Sequence, residues 1–174
     1  MHAGATPELR AATRQDLPSI VELERATFPD PWPLSAFESE IASDAPPVVA
    51  VCDGALSGYI CRMLGPEELH VTNIAVAPAR RRQGIAAALL ADTIAFATRE
   101  DCRWIYLDVR PSNEAARALY LRFGFVEIFR RRKYYIRPQE DGLVLARPVE
   151  LLPRGSAKPD LKDDVPGKTS DGLV

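Results

Sequence analysis

The sequence predicts one α/β domain in which a mixed sheet is flanked by helices, and two observations lead to this fold class. Three short apolar stretches separated by glycine-containing turn signals indicate a meander of antiparallel strands, at Val48–Cys52, Ser57–Leu64 and Leu69–Val76. A helical run from Ile85 to about Thr98 then leads to the apolar stretch Trp104–Val109. Since a helix between two strands is typical of a crossover, we expect the strands ending at Val76 and Val109 to be parallel.

The other elements flank this centre. We expect a first strand at Leu9–Thr13, helices at Leu17–Ala26, Leu34–Ser43 and Glu114–Phe123, a strand at Phe125–Phe129, a basic turn at Arg130–Lys133, and a last hairpin made of Tyr134–Ile136 and Gly142–Ala146. Asn113 or Ser112 can cap the helix that begins at Glu114, and Gly124 suits the left-handed position that ends it.

Length and composition favour one domain, residues 1–150, followed by a disordered tail, residues 151–174, which is rich in Pro, Gly, Ser and balanced charges.

The net charge of −2 gives no general argument for nucleic-acid binding. Three cysteines without a CxxC pattern indicate reduced thiols and no metal site. The longest apolar run, Ile85–Ala97, is too short to span a bilayer, and no secretory signal is visible, so we expect a cytoplasmic protein.

A basic loop connects the strand ending at Val76 to the helix beginning at Ile85. It contains three consecutive arginines and ends in Gly84, and the small residues Ala86 and Ala87 follow. A helix N terminus offers unpaired N–H groups and a partial positive charge, and small residues let a phosphate approach the backbone. The loop therefore predicts a site for a pyrophosphate or a phosphorylated nucleotide, with a solvated basic loop as the alternative.

Asp108 is an acid inside the apolar stretch that ends at Val109. A carboxyl group there costs free energy unless it is paired or used. One interpretation is an ion pair with Arg110 or another neighbouring arginine. The other is a general base at the carboxyl end of a parallel strand, where ligands of α/β sheets tend to bind.

Tyr120 follows Asn113 by two helical turns, so both side chains can face the same groove. A tyrosine hydroxyl can donate a proton to a leaving group. Core packing beside Leu119 and Phe123 is the alternative for Tyr120, and helix capping is the alternative for Asn113.

Two segments carry a resemblance to a known family. Arg81-x-x-Gly84-x-Ala86 resembles the pyrophosphate loop Q/R-x-x-G-x-G/A of the GNAT acetyltransferases, and the segment NEAARALYLRFGF, residues 113–125, resembles their signature N-x-x-A-x-x-L-Y-x-x-x-G-F. The resemblance covers about residues 9–146. The loop from Phe28 to Trp32 and the segments 73–76 and 107–113 are similar to the ribosomal-protein alanine N-acetyltransferase branch of that family.

This resemblance implies the GNAT fold, a mixed and mostly antiparallel sheet whose central parallel strands splay apart, flanked by about four helices. It also implies acetyl-CoA as the co-substrate, bound in the splay, and no metal. The residues implied to hold acetyl-CoA are Ile74, Ala75, Val76, Arg81, Arg82, Gln83, Gly84, Ile85, Ala86, Ala87 and Asn113.

The resemblance implies catalytic roles for two side chains: Tyr120 would protonate the departing thiolate, and Asp108 would take a proton from the incoming amine. This branch usually carries Glu where this chain has Asp108, and Asp is one methylene shorter. A relaying water, or Glu67, Glu68 or His70 on the neighbouring strand, could serve instead.

The implied substrate is the N-terminal alanine of the small-subunit ribosomal protein numbered eighteen, contacted by Phe28, Trp32, Glu68 and Tyr134. For Phe28 and Trp32, on the proline-rich loop, packing into the core is the alternative to forming a wall of the substrate groove, and both can be true. We expect a monomer or weak dimer that binds a protein N terminus and contacts neither nucleic acid nor membrane. Two other functions stay open: acetylation of a small amine or a lysine side chain, and a non-catalytic acyl-CoA-binding module.

Overall fold

The structure is a computed structural model that describes residues 6–150 and 170–172. Its strands are β1 (Glu8–Ala11), β2 (Val48–Cys52), β3 (Ala55–Leu64), β4 (Glu68–Val76), β5 (Trp104–Val109), β6 (Val126–Ile136), β7 (Gln139–Pro148) and β8 (Ser170–Gly172). The first seven form one sheet in the order β1-β2-β3-β4-β5-β7-β6, and β8 pairs with β4. The β4–β5 pair is parallel and its neighbours in the sheet are antiparallel, as the sequence predicts.

Among the described residues, four α-helices cover the sheet: α1 (Leu17–Thr27), α2 (Leu34–Ile41), α3 (Ile85–Arg99) and α4 (Glu114–Arg122). Buried residues of α3 and α4 form one core with one face of the sheet, and buried residues of α1 and α2 form a second core with the other face. β4 is buried on both faces because it lies between the two cores. In the described part of the chain, no helix is long and apolar enough to cross a membrane.

Gly58 allows β3 to pack tightly at the centre of this arrangement. A Cβ atom at Gly58 would lie 2.9 Å from the Ala75 carbonyl oxygen and 3.1 Å from a side-chain carbon of Ile85. Any larger residue would therefore push β3 away from β4 and from the first turn of α3. The close packing fixes the end of β4 relative to the helix that follows it.

The ends of α4 follow the sequence prediction. Asn113 is the N-cap, and its Oδ1 accepts a hydrogen bond from the Ala116 N–H at 3.1 Å. Gly124 has φ +80°, the left-handed conformation that was expected after the last turn of the helix.

The predicted turn at Arg130–Lys133 is wrong, because these residues lie within β6, which pairs with β7 along most of its length. The register shifts between Arg131 and Tyr135, where Lys133 adopts φ +51° and donates its N–H to Asp141 Oδ1 at 2.9 Å. A bulge therefore takes the place of the turn, and the strand continues to Ile136.

The predicted disordered tail lies outside the described residues, except for Ser170–Gly172. The three cysteine thiols are buried and unbridged, and they pack as small apolar side chains.

Candidate functional site

The central parallel strands separate before they end. The β4–β5 ladder joins Glu68–Val71 to Trp104–Leu107, whereas β4 continues to Val76 and β5 to Val109. β4 keeps its pairing with β3 on its other edge, and β5 keeps its pairing with β7. The two strands therefore splay apart, as the GNAT fold requires.

A bulge in β4 marks the start of this separation. Cys61 pairs with Asn73 and Arg62 pairs with Val71, so Thr72 is an extra residue on β4. Bulges bend a strand and increase its twist, which moves the end of β4 away from β5. Thr72 and Asn73 are both buried, and neither the Thr72 Oγ1 nor the Asn73 Oδ1 has a hydrogen-bond partner among the described residues.

The edge of β4 that faces the splay accepts an extended chain. β8 pairs with it in parallel, Asn73 with Ser170, Ile74 with Asp171 and Ala75 with Gly172. The same edge includes the predicted cofactor residues Ile74–Val76, whose side chains are buried. Their contribution to a ligand would come from the backbone.

The loop after β4 and the first turn of α3 bring together the cofactor residues predicted from Arg81 to Ala87. A 3-10 turn at Pro78–Arg80 leads to Arg82 with φ +63° and Gly84 with φ +82°, and α3 begins at Ile85. A Cβ atom at Gly84 would meet no atom within 4 Å, so the space beside this backbone is open. The first N–H groups of α3 have no intrahelical partner, and with the open space they fit an anionic group such as a pyrophosphate.

Three side chains of this loop make contacts within the protein. Arg80 pairs with Asp53 at 2.8 Å, Arg81 Nε donates to the Val76 carbonyl oxygen at 3.4 Å, and Gln83 Nε2 donates to the Ala79 carbonyl oxygen at 3.3 Å. The Ile85 side chain is buried in the core, so its contribution to a ligand would be its N–H group.

Asp108 lies on β5 at the point where the strands part. It is 4% exposed, and Arg131 of β6 lies beside it with 3.4 Å between Arg131 Nε and Asp108 Oδ1. Burial raises the pKa of Asp108 to about 6, and the Arg131 guanidinium opposes part of this rise. Of the two interpretations from the sequence, the ion pair exists, but with Arg131; Arg110 instead donates to the carbonyl oxygens of Arg137 and Pro138.

Tyr120 of α4 is almost fully buried and packs edge-on against Phe125, with 5.8 Å between ring centroids. It belongs to the core between the sheet and α3–α4, as does Val109 at the end of β5. Tyr120 is therefore a core residue, as one interpretation of the sequence predicts. Its role as a proton donor stays a prediction. Asn113 likewise uses its side-chain oxygen as a helix cap.

The residues predicted to contact the substrate lie on the face of the sheet that carries α1 and α2. Phe28 is buried in the core on that face, and the half-buried Trp32 packs against Phe37 at 5.6 Å between centroids. Glu68 Oε1 lies 3.1 Å from His70 Nε2, and the His70 ring stacks on Tyr106 at 5.1 Å.

Tyr134 lies close to the candidate base. Burial raises the pKa of Tyr134 to about 12, and the charge of Asp108 adds to this rise. No group of acidic, histidine or cysteine residues in the described part of the chain could hold a metal ion.

The chain belongs to the acetyltransferase (GNAT) family, whose family model matches residues 17–125. It is an acetyl-CoA-dependent N-acetyltransferase. Among curated relatives it is similar to the N-alpha-acetyltransferase RimI of Mycobacterium tuberculosis, with 41% identity over 132 residues, 72% of this chain and 82% of that protein. It is also similar to the [ribosomal protein bS18]-alanine N-acetyltransferase of Escherichia coli, with 31% identity over 138 residues, 78% of this chain and 93% of that protein.

The fold matches solved acetyltransferase structures. The ribosomal-protein-S18-alanine N-acetyltransferase from Escherichia coli superposes with a TM-score of 0.78 at 28% identity, covering 90% of this chain and 99% of that one. Ard1 from Thermoplasma volcanium superposes with a TM-score of 0.76 at 19% identity, covering 84% of this chain and all of that one, and this likeness shows the fold alone.

The structure also brings in polar residues that the sequence analysis did not single out: Arg131, Thr72 and Glu24, the last a buried acid of α1. Arg131 was assigned to a turn, and nothing in the local pattern connects β6 to Asp108. A bulge such as the one at Thr72 has no residue signal in a strand that is buried on both faces.

We expect Arg131→Gln to raise the pKa of Asp108 above 6, by about one unit, because an adjacent cation favours the charged carboxylate. Carbon-detected NMR titration of the aspartate carboxyl groups measures this value. Arg132→Gln is the matched control, since it removes the same charge from an exposed neighbouring position on β6. Equal shifts in the two variants would show that the Arg131 contact has no specific effect on Asp108.

Proposed function

We propose that this protein transfers the acetyl group of acetyl-CoA to the N-terminal α-amine of a protein, and that its substrate is the N-terminal alanine of ribosomal protein bS18. The observation that carries this proposal is Asp108, a buried carboxyl group with a pKa of about 6 where the central strands separate. The names of relatives that align over most of their length support the choice of substrate.

The site offers backbone donors for acetyl-CoA, and the space beside Gly84 is open. We assign the backbone of Ile74–Val76 to the pantetheine arm and the thioester carbonyl, because this edge of β4 already accepts an extended chain. The pyrophosphate would lie at the N terminus of α3, held by the backbone and side chains of Arg81, Arg82, Gln83, Gly84, Ile85, Ala86 and Ala87. Asn113, at the start of α4, would contact the pantetheine arm.

Acetyl-CoA supplies an activated acetyl thioester when it is bound. The amine must be neutral to attack the thioester carbon, forming a C–N bond as the C–S bond breaks. With a pKa near 6, Asp108 is ionised at neutral pH and is a suitable acceptor for the proton that the amine loses. Because the amine attacks the thioester directly, the protein would carry no covalent intermediate, and Tyr120 would donate a proton to the departing sulfur.

The face that carries α1 and α2 would bind the peptide. Trp32 and Tyr134 would contact its first residues, and Glu68 would attract a positively charged group. Phe28 would contribute indirectly, because it is buried in the core that supports the Trp32 loop. We infer that the enzyme acts as a monomer or weak dimer on ribosomal protein in the cytoplasm, without contacting nucleic acid or membrane.

The decisive assay compares acetyl transfer to peptides beginning Ala-Arg, Met-Leu and Ser-Glu, with lysine and spermidine as small-amine alternatives. We expect preference for the Ala-Arg peptide. In Asp108→Asn, kcat should fall by about 100-fold or more, because the base is lost while the shape is kept. Transfer that survives in this variant would assign the base to Glu68, His70 or a water molecule, and transfer to the small amines alone would contradict the proposed substrate.

Tyr120→Phe should lower kcat by about 100-fold and change acetyl-CoA affinity by less than about twofold, since only the proton donor is removed. Steady-state kinetics and calorimetric titration with acetyl-CoA measure the two effects. The control is Phe125→Leu, which alters the packing partner of Tyr120 and keeps the hydroxyl. A turnover equal to that of the wild type would exclude Tyr120 from the mechanism.

Ser170–Gly172 and the pantetheine arm would use the same backbone groups of β4, so they should compete. Replacing Ser170, Asp171 and Gly172 with proline in the full chain removes the backbone donors of β8. We expect acetyl-CoA to bind about threefold to tenfold more tightly, which corresponds to the net contribution of one or two hydrogen bonds. Calorimetry should show no change for three prolines at 155–157, and equal affinity in both variants would contradict competition.

A further inference from the structure

A second buried carboxyl group, that of Glu24 on α1, lies outside the roles assigned so far. It is completely buried, and burial raises its pKa. Its oxygens accept hydrogen bonds from the Trp32 backbone N–H at 2.8 Å, from the Tyr59 hydroxyl, and from the Asn73 side-chain amide at 3.2 Å. An apolar side chain could fill the same space, and a fully hydrogen-bonded acid instead fixes its partners in specific positions.

The partners of Glu24 come from three different elements. Trp32 lies in the loop between α1 and α2, Tyr59 on β3, and Asn73 on β4 beside the edge assigned to the cofactor. The loop is stiffened by three prolines, and the Trp32 ring packs on Phe37, which packs edge-on against Tyr59 at 5.6 Å. Both the backbone and the ring of Trp32 are therefore held by the cluster around Glu24.

Glu24 also determines the orientation of the Asn73 amide. A carboxylate is only an acceptor, so Asn73 must present its Nδ2 to Glu24 and turn its Oδ1 away. That Oδ1 is fully buried and has no partner among the described residues. A buried acceptor without a donor is costly, which indicates that a donor arrives from a ligand.

Asn73 is placed at the level of the candidate base. The parallel register pairs Val71 with Leu107, so its continuation brings Thr72 and Asn73 level with Asp108 and Val109. Val71 and Leu107 belong to the core on the α3 face, so Asp108 lies on the opposite face, the one on which Asn73 meets Glu24. The Asn73 amide and the Asp108 carboxylate therefore flank the same opening.

We propose that Glu24 is a positioning residue for the acceptor substrate: it holds the Trp32 loop and the Asn73 amide in a fixed relation, so that Asn73 Oδ1 accepts a hydrogen bond from the substrate's N-terminal amine. This inference rests on the proposed function, because it requires an amine-bearing peptide in the groove. Glu24 itself touches neither substrate, and Asn73 is the group that makes the contact.

Glu24→Gln tests this role with little change in volume. The glutamine amide is a donor, so the Asn73 amide would turn its Oδ1 toward residue 24 and no longer offer it to the substrate. We expect the KM for the best peptide substrate to rise about tenfold, which corresponds to the loss of one hydrogen bond to a charged or polar amine. The affinity for acetyl-CoA should stay within about twofold, since it depends on the backbone of β4.

Two further variants separate positioning from general stability. Asn73→Leu should raise the peptide KM by the same factor, and the double variant should show no further rise, because both substitutions remove the same contact. Thr93→Val, a buried polar change on α3 at the other face of the sheet, should leave both substrate constants unchanged. A loss of folded protein alone would lower kcat and leave KM as it was.

The inference would be overturned by an unchanged peptide KM in Glu24→Gln, or by a double variant whose effect is the product of the single effects. Failure of the proposed function is recognised separately, because the wild-type protein would then acetylate none of the peptides, and the role of Glu24 would be withdrawn with it. A rise in the constants for both substrates would also contradict the proposal, since it would indicate a general distortion of β4.

Discussion

The structure depends on one constraint, which is that the buried backbone of β4 must find hydrogen-bond partners on both edges. Along its last residues β5 does not provide them, because the ladder ends at Val71 and Leu107 while both strands continue. β3 and β7 hold the outer edges, so the gap cannot close by a simple shift of either strand. An extended ligand or chain segment satisfies the inner edge, and β8 occupies that place in the structure.

The two buried carboxyl groups near this gap have different partners within the protein. Glu24 accepts hydrogen bonds from three elements and holds them in place, whereas Asp108 lies beside a cation, with 3.4 Å between its Oδ1 and Arg131 Nε. A fully satisfied acid is a structural anchor, because any movement of a partner leaves a buried charge without a donor. Burial raises the pKa of both carboxyl groups, and at Asp108 it reaches about 6, a value that suits exchange of a proton near neutral pH. In the roles we propose, a buried carboxyl group would thus serve positioning in one place and proton transfer in the other.

The sequence predicted most of the fold because each central element carries its own local signal. The meander, the crossover helix and the ends of α4 follow from apolar runs, Gly124 and the cap at Asn113. β6 was divided wrongly, since an edge strand with many arginines has no apolar alternation to distinguish it from a turn.

The candidate site was less accessible to sequence analysis. Its backbone elements could be placed from the pyrophosphate loop and from the position of Asp108 near the end of a buried strand. The side chains that adjust the site could not, because Glu24 meets Asn73 across 49 positions and Arg131 reaches Asp108 from a different hairpin. Such contacts are decided by strand order and by the bulge at Thr72, which are properties of the assembled sheet.

The length of the contact between Arg131 and Asp108 bears directly on the chemistry. A short bidentate pair would stabilise the carboxylate strongly and lower its pKa, which would make it a weak base. Without any cation, burial would raise the pKa further, and a carboxyl group that is protonated at neutral pH cannot accept a proton. At 3.4 Å the guanidinium offsets only part of the burial effect, and the pKa remains near 6. In the proposed mechanism Asp108 would therefore be ionised before the amine arrives and yet basic enough to accept its proton. Arg131 of β6, a strand outside the central pair, contributes to this balance by opposing the effect of burial.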